Sequence, residues 1–373
     1  MIFEGVILAL VAVGLLWLWL RKPGSKKPGA KIQRSAPPKA ASQVANNMKP
    51  ASDSTPAPPP LRAIPDDLEH LRLRRRGELT EAEQAAVLEV CAAMPEPHPV
   101  QTQMAGGLDT PEELTSAVVT DAGLTASILR TVNSAAFALA TPITSVQHAV
   151  NYLGVGVVKG LVAQAVVSDS TVDATPEQQA AMARIWQSAC CASALAQSLG
   201  QELGLSRPSI LATKSLFFNL GDVAIVLGVD DATQWYAEGV SIVDRITAQQ
   251  QASGANTAIV GAALAQEWNL PVDLVAAIET GFLPLVTKPG EHPMEGDNLR
   301  SNVIVYFAGR IGEIITYRGL RDVGELELDS DEDPGLFHLP GHLESAGLGR
   351  ATKLLSDPSF RRKANRLVGA IVA

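Results

Sequence analysis

The chain has 373 residues, of which 46% are hydrophobic and only 5% aromatic, and its formal net charge is −9. Residues 1–60 contain eight basic and two acidic residues, a balance of +6, which leaves −15 for residues 61–373. An acidic body argues against sequence-independent nucleic-acid binding, which needs a basic face. The three cysteines, two of them adjacent, do not suit a disulfide framework and are predicted to be buried apolar residues.

The first segment, residues 1–21, is predicted to be a transmembrane helix. Residues 5–20 carry no charge, and with the two apolar residues before Glu4 the segment would rise roughly 27 Å as a helix, close to the hydrocarbon thickness of a bilayer. Trp17 and Trp19 suit an interfacial aromatic belt, and basic residues follow them. This bias predicts a single-pass anchor with the N-terminus outside and the body in the cytoplasm. The alternatives are a cleaved signal peptide and a buried helix.

The next segment, residues 22–60, is predicted to be a disordered linker. It contains nine prolines and almost no large apolar side chain, so it cannot bury enough surface to offset the entropy of ordering. Its basic first half would lie beside the membrane and favour anionic headgroups.

The body is predicted to be all-α, because no alternating strand pattern extends beyond a few residues. Residues 61–84 are predicted as an N-terminal helical extension, 85–290 as the main domain and 291–373 as a C-terminal helical extension. Within the main domain, Met94 to Pro99 reads as an extended turn, since proline disfavours helix at the preceding residue.

Three short helices and their capping residues occupy the stretch 110–167. The first two are predicted to begin after Thr110 and Asp121. The third is predicted to begin at Thr144 and to end at Gly154, where a glycine commonly closes a helix.

The same stretch resembles a known family. The sequences VVTDAGLTASILRTVNSAAF and ITSVQHAVNYLG, and a helix that starts at Val155, are similar to the HDOD family, a bacterial relative of the HD-type metal phosphohydrolases. The resemblance extends from about Ala85 to Pro284. It implies a multi-helix HD-like bundle with a role in signal transduction, and it makes the predicted anchor one of a bacterial inner membrane.

The resemblance also locates the positions where HD phosphohydrolases place metal ligands. Such enzymes use His and Asp side chains to hold ions that polarise a phosphate and activate water. In this chain those positions are Gln187, Phe218, Asn219, Thr257, Gly281 and Phe282. Amide and hydroxyl side chains are uncommon ligands for these metals, and phenylalanine cannot bind one. We therefore predict a degenerate site with no catalytic residue, no metal and no cofactor, as the resemblance to the non-hydrolytic HDOD family also implies.

A second set of residues matches the family and has two interpretations. Asp121, Asn133 and Ser134 could contact a ligand or a partner. The structural alternative is that Asp121 caps its helix and that Asn133 bonds backbone groups where its helix ends.

The histidines and an acidic segment offer no replacement site. The six histidines are scattered, and Pro340 and Gly341 between His338 and His342 argue against a shared helical face. Three alternating aspartates ending at Asp333 resemble the start of a calcium loop, but prolines occupy its sixth and twelfth positions. The segment 325–340 is therefore predicted to be an exposed acidic loop.

Three functions are compatible with these features. The first is a non-catalytic, membrane-tethered regulatory module that binds an unknown signalling protein or, alternatively, a nucleotide. The second is a phosphohydrolase with an atypical site that uses carboxylates such as Asp222 and Asp231. The third is a structural scaffold at the membrane.

Overall fold

The computed structural model describes residues 63–96, 98–133, 141–170, 174–328 and 333–372. The predicted anchor, residues 1–21, and the predicted linker, residues 22–60, lie outside these ranges. Residues 62–373 belong to one compact unit. The domain boundaries predicted at 84–85 and 290–291 both lie inside this unit. They remain predictions, which are based on the extent of the family resemblance.

The described residues form helices and contain no β-strand, which confirms the all-α prediction. The helices of the first half are α1 (Asp66–Glu69), α2 (Glu81–Ala92), α3 (Pro99–Gly107), α4 (Pro111–Val118), α5 (Ala122–Val132), α6 (Val146–Leu153), α7 (Val155–Ser170), α8 (Pro176–Glu202) and α9 (Pro208–Phe217). Those of the second half are α10 (Leu220–Gly228), α11 (Ile242–Ser253), α12 (Thr257–Glu267), α13 (Val272–Glu279), α14 (Leu283–Val286), α15 (Gly296–Arg318), α16 (Leu339–Ser345), α17 (Arg350–Ser356) and α18 (Pro358–Val372).

Local capping chemistry sets several helix starts. The side chains of Thr110 and Asp121 accept hydrogen bonds from backbone N–H groups three residues on, as predicted. The helix predicted to start at Thr144 instead starts after Ser145, whose hydroxyl accepts from the His148 N–H at 3.1 Å. Gly154 ends that helix with a φ of 88°, a conformation that costs residues with a side chain more than glycine.

The long helix α8 joins the two halves of the interior. It packs against α7, α9, α10, α15 and α18. Ala189 and Cys190 belong to one hydrophobic cluster, whose residues lie between Leu79 and Ile278, while Cys191 and Leu195 belong to a second one that includes residues of α15 to α18. All three cysteines are buried and unpaired, as predicted. One helix therefore contributes to both cores.

Within the part of the chain that the structure describes, one helical stretch has the length and hydropathy needed to cross a membrane. It runs from Pro208 to Gly228, and 83% of its most apolar window is buried inside the body. It corresponds to α9 and α10 with the two residues between them, so its apolar composition is accounted for by packing against neighbouring helices.

Candidate functional site

The junction between α9 and α10 is the position where the resemblance placed the His-Asp pair of the hydrolases. Phe218 and Asn219 separate the two helices, and Asn219 has a φ of −100° and a ψ of 20°. Both residues are buried, with exposed fractions of 1% and 4%. The break therefore directs these two residues into the interior of the bundle.

An aromatic cluster, formed by Phe218, Phe282 and Tyr306, fills this part of the interior. The Phe218 and Phe282 ring centroids lie 4.5 Å apart, and Tyr306 meets both rings edge-on at 6.5 and 6.4 Å. Gly281 leaves room for the Phe218 ring, because a Cβ at residue 281 would lie 2.6 Å from Phe218 Cε2. Three of the six predicted former ligand positions thus come together, as a packed apolar contact.

Thr257 and Asn219 are polar but equally buried. The Thr257 N–H donates to Gln249 Oε1 at 2.9 Å, and a Cβ at Gly221 would lie 2.0 Å from the Thr257 carbonyl oxygen. Asn219 Oδ1 and Thr257 Oγ1 have no hydrogen-bond partner among the described residues. Both atoms are neutral oxygens. None of the six predicted former ligand positions supplies an imidazole or a carboxylate group.

Gln187, the sixth predicted position, makes its hydrogen bond to the C-terminal helix. Its Nε2 donates to the backbone oxygen of Ile371 at 3.1 Å, so this side chain fastens α8 to the last helix, α18. The structure shows no hydrogen bond from it to the aromatic cluster.

A metal ion of the hydrolase type does not fit these residues. The aromatic cluster occupies the space next to the helix break, and the remaining donors are amide and hydroxyl oxygens. In the described ranges, no group of three or more His, Cys, Asp or Glu side chains has an arrangement that could hold a metal.

Asp222 is the buried carboxylate nearest in sequence to the break. Its Oδ1 accepts from the Tyr236 hydroxyl at 2.8 Å and from Gln249 Nε2 at 3.0 Å. Burial raises the pKa of Asp222 although Arg245 opposes that rise. Asp231, its predicted companion in an atypical hydrolase site, is exposed on the surface. One carboxylate is therefore enclosed while the other faces solvent.

A charge network of four buried residues, Arg245, Arg310, Glu313 and Asp333, lies in the same interior. Arg245 and Arg310 both donate to the Glu313 carboxylate, and Arg310 Nη2 donates to the two oxygens of Asp333 at 3.1 and 2.9 Å. None of the four is more than 4% exposed. The two cations and the two anions therefore neutralise one another through contacts that connect all four side chains.

The charge network shows that the prediction of an exposed acidic loop was wrong at Asp333. The sequence analysis did not predict the other contacts of the network. Asp333, predicted to be exposed in an acidic loop, is 2% exposed. Burial alone would raise the pKa of Asp333, but the guanidinium groups of Arg310 and Arg318 hold it below its ordinary value. A signal existed in the sequence, since Arg310 and Glu313 interrupt an otherwise apolar helix pattern. The other two aspartates of the predicted loop lie outside the described residues.

Asp121 and Asn133 are both engaged in local contacts. Asp121 Oδ1 caps α5, and its Oδ2 lies 3.1 Å from His98 Nε2. Asn133 Nδ2 donates to the carbonyl oxygens of Leu129 and Ile143 at 2.8 and 2.7 Å, and its Oδ1 accepts from the Ile143 N–H. Ser134 lies outside the described residues.

Three histidines predicted to be scattered form a group. The His292 and His342 ring centroids are 5.5 Å apart, and those of His338 and His342 are 6.4 Å apart. His342 lies in α16 because Pro340 and Gly341 occupy the first turns of that short helix, where proline needs no N–H partner. Burial lowers the pKa of His342 to about 4. This imidazole is therefore neutral at neutral pH.

Comparisons with known proteins support the family resemblance and the helical fold. Residues 100–281 match the family model of the HDOD domain. A crystal structure of a proposed signal transduction protein from Marinobacter aquaeolei VT8 is similar, with a TM-score of 0.51 and 15% identity over 78% of this chain and 66% of that one. This likeness supports the helical fold.

Two further crystal structures are similar at lower scores. One is a proposed phosphohydrolase from Shewanella amazonensis SB2B, with a TM-score of 0.48 and 20% identity over 78% of this chain and 98% of that one. The other is an HDOD domain protein with unknown function from Geobacter sulfurreducens, with a TM-score of 0.47 and 19% identity over 77% and 98% of the two chains. No curated protein sequence matches this chain. From the family match and the helical fold together, residues 100–281 of this chain form an HDOD domain.

Proposed function

We propose that this protein is a non-catalytic regulatory module, held at the bacterial inner membrane by its N-terminal segment and acting at the cytoplasmic face by binding a signalling protein. The observation that carries the proposal is the packing of Phe218, Gly281 and Phe282 against one another. A hydrolase of the HD type needs ionisable ligands and an open coordination position where these residues lie.

The regulatory part of the proposal is supported by the HDOD domain itself. A similar structure is named a signal transduction protein, which is consistent with a regulatory role. No described contact favours the atypical hydrolase, because Asp222 is enclosed by Tyr236 and Gln249 and lines no described cavity.

The membrane part is supported by the sequence alone. An uncharged run at residues 5–20 is followed by seven basic residues and no acidic one up to Lys39. That order is typical of a cytoplasmic flank.

The absence of catalysis is tested on the full chain purified in detergent. We expect no hydrolysis of bis(p-nitrophenyl) phosphate or of a cyclic dinucleotide above background in Mn²⁺, and a metal content far below one ion per chain by mass spectrometry. Stoichiometric metal that survives chelation, together with turnover, would overturn the non-catalytic proposal.

The tether and the partner are tested in cells. We expect the full chain to stay in the membrane fraction after carbonate extraction, and a variant lacking residues 1–21 to become extractable. Crosslinking in intact membranes should recover the same protein partner repeatedly. If the deletion leaves the distribution unchanged, the anchor is wrong, and if no partner is recovered in either form, the binding role is wrong.

A further inference from the structure

A cavity of about 650 Å³ lies where the last helix, α18, crosses the HDOD domain. Its walls come from the end of α6, the start of α7, the last turns of α8 and α18. The volume falls within the range of about 300–1,000 Å³ that is typical of small-molecule sites. None of the six former ligand positions lines it, so it is distinct from the site described above.

The charge of this cavity is opposite to that of the body. Lys363 and Arg366 lie in its wall, and no described carboxylate does. Lys363 Nζ has one neutral partner, Gln201 Oε1, at 3.3 Å. Arg366 is exposed and has no hydrogen bond or ion pair with the described part of the chain. Two cations without a neutralising acid, on a body with a net charge of −15, indicate a site for an anion.

Polar groups of α7 and α8 also line the cavity. Ser198 is only 3% exposed, lines the cavity and has no hydrogen-bond partner within the described ranges. The first turn of α7, a helix of 16 residues, lines it too, and the first N–H groups of a helix lack partners within the helix. A buried hydroxyl and these N–H groups can complete the hydrogen bonding of a phosphate.

Glycine at residue 156 sets the shape of this wall. A Cβ there would lie 2.4 Å from Gln197 Oε1, so a larger residue would displace the Gln197 side chain. Gln197 has no hydrogen-bond partner among the residues described, which leaves its amide free to donate and accept.

An aromatic ring lies at the rim of the cavity. Tyr152 is 58% exposed, which is unusual for a large side chain in this body. Different planar bases can stack on such a ring, because every base has a π-face. An exposed aromatic ring beside two cations is an arrangement that suits a ligand with both a planar ring and a phosphate.

We propose that this cavity binds a nucleoside monophosphate. The phosphate lies against Lys363, Arg366, the Ser198 hydroxyl and the start of α7, and the base lies against Tyr152 with the Gln197 amide available to its polar edge. The inference extends the proposed regulatory function by naming a small-molecule ligand. Its test measures binding and not hydrolysis, so either proposal can fail while the other stands.

The experiment is isothermal titration calorimetry on the full chain in detergent with AMP and GMP, and with adenosine, guanosine and inorganic phosphate as partial ligands. We expect AMP or GMP to bind, and the partial ligands to bind about tenfold more weakly or worse, since each lacks one half of the contacts. Failure of both nucleotides to bind would overturn the proposal. Equal affinity for inorganic phosphate would also overturn it, because the ring would then contribute nothing.

Variants locate the site. Lys363→Ala with Arg366→Ala, and separately Tyr152→Ala, should each weaken binding about tenfold or more through loss of charge-assisted bonds or stacking. Gly156→Ala should weaken it without removing a charge or a ring. Arg362→Ala is the matched control, since Arg362 is exposed on the same helix and does not line the cavity, and it should leave affinity unchanged. Binding that survives all three lining changes, in variants with wild-type circular dichroism, would contradict the assignment.

Discussion

Two neighbouring regions of the interior are stabilised by different kinds of contact, one apolar and one ionic. The aromatic cluster uses Tyr306 on α15, and the charge network uses Arg310 one turn further along the same helix. The cluster is held by ring contacts that need no particular protonation state. The network holds only while every charge has its partner, because an isolated buried ion is strongly destabilising. The same helix, α15, therefore contributes to two contacts of different character. Stability should fall gradually as the rings of the aromatic cluster are shortened, but sharply when one charge of the network is removed.

The largest expected effect comes from removing one member of the charge network. Glu313→Gln leaves Arg245 and Arg310 with uncompensated positive charge, and we expect a loss of about 3–5 kcal/mol in the free energy of unfolding measured with urea. Glu279→Gln, at an exposed glutamate without a described ion pair, should change it by about 0.5 kcal/mol or less. Equal stability of both variants would show that the network is not needed.

The aromatic cluster should lose stability in a graded way. Phe218→Ala is expected to cost about 3–5 kcal/mol, since it removes a fully buried ring and leaves a cavity, whereas Phe218→Leu should cost less. Chemical denaturation at low and high salt measures both. Losses that change strongly with salt would contradict an apolar origin.

The grouped histidines should make stability depend on pH. The folded pKa of His342 is lowered to about 4 by burial, below the unfolded value of about 6.5, so between these values the unfolded chain binds more protons. This contribution is fully present above pH 6.5 and is lost as the pH falls toward 4, by about 3 kcal/mol.

His342→Leu should flatten that dependence, and His148→Gln, at an exposed histidine, should not. The measurement is the free energy of unfolding at several pH values between 4 and 7. The slope that remains in His342→Leu comes from groups such as His292 and His338, whose pKa values burial also lowers. An unchanged slope in His342→Leu would show that the imidazole is not enclosed.

The smallest effect tests the contact beneath the Phe218 ring. Gly281→Ala places a Cβ 2.6 Å from that ring, and we expect it to cost about 1–3 kcal/mol through overpacking. Adding Phe218→Leu should recover part of the loss, because the shorter side chain makes room. Gly77→Ala, where no atom lies within 4 Å of the new Cβ, is the control. Strict additivity of the pair would contradict direct contact.

Local chemistry explains what the sequence could predict. Thr110 and Asp121 cap their helices through bonds to residues three positions on, and such bonds are visible in the sequence itself. The start at Ser145 instead of Thr144 was missed because either hydroxyl could cap. Helix α3 was also missed, since the prolines before it read as a turn although Pro99 is well placed at a helix start.

Long-range pairing explains what it could not. Arg245 and Glu313 are 68 residues apart, and their contact depends on how α11 and α15 pack. The meeting of Phe218 with Phe282 depends equally on the crossing of distant helices. By contrast, the resemblance could name both phenylalanines as former ligand positions without showing that they touch. The identity of site residues was therefore easier to predict than their mutual geometry.

The shared helix α8 has a practical consequence for anyone who would excise the HDOD domain. Family likeness ends at residue 281, yet Cys191 and Leu195 in the middle of α8 pack with residues of α15, which begins at Gly296. A fragment cut at residue 281 would expose that apolar seam to water and should aggregate or recruit a substitute surface. The evolutionary domain and the cooperatively folding unit therefore end at different residues of this polypeptide.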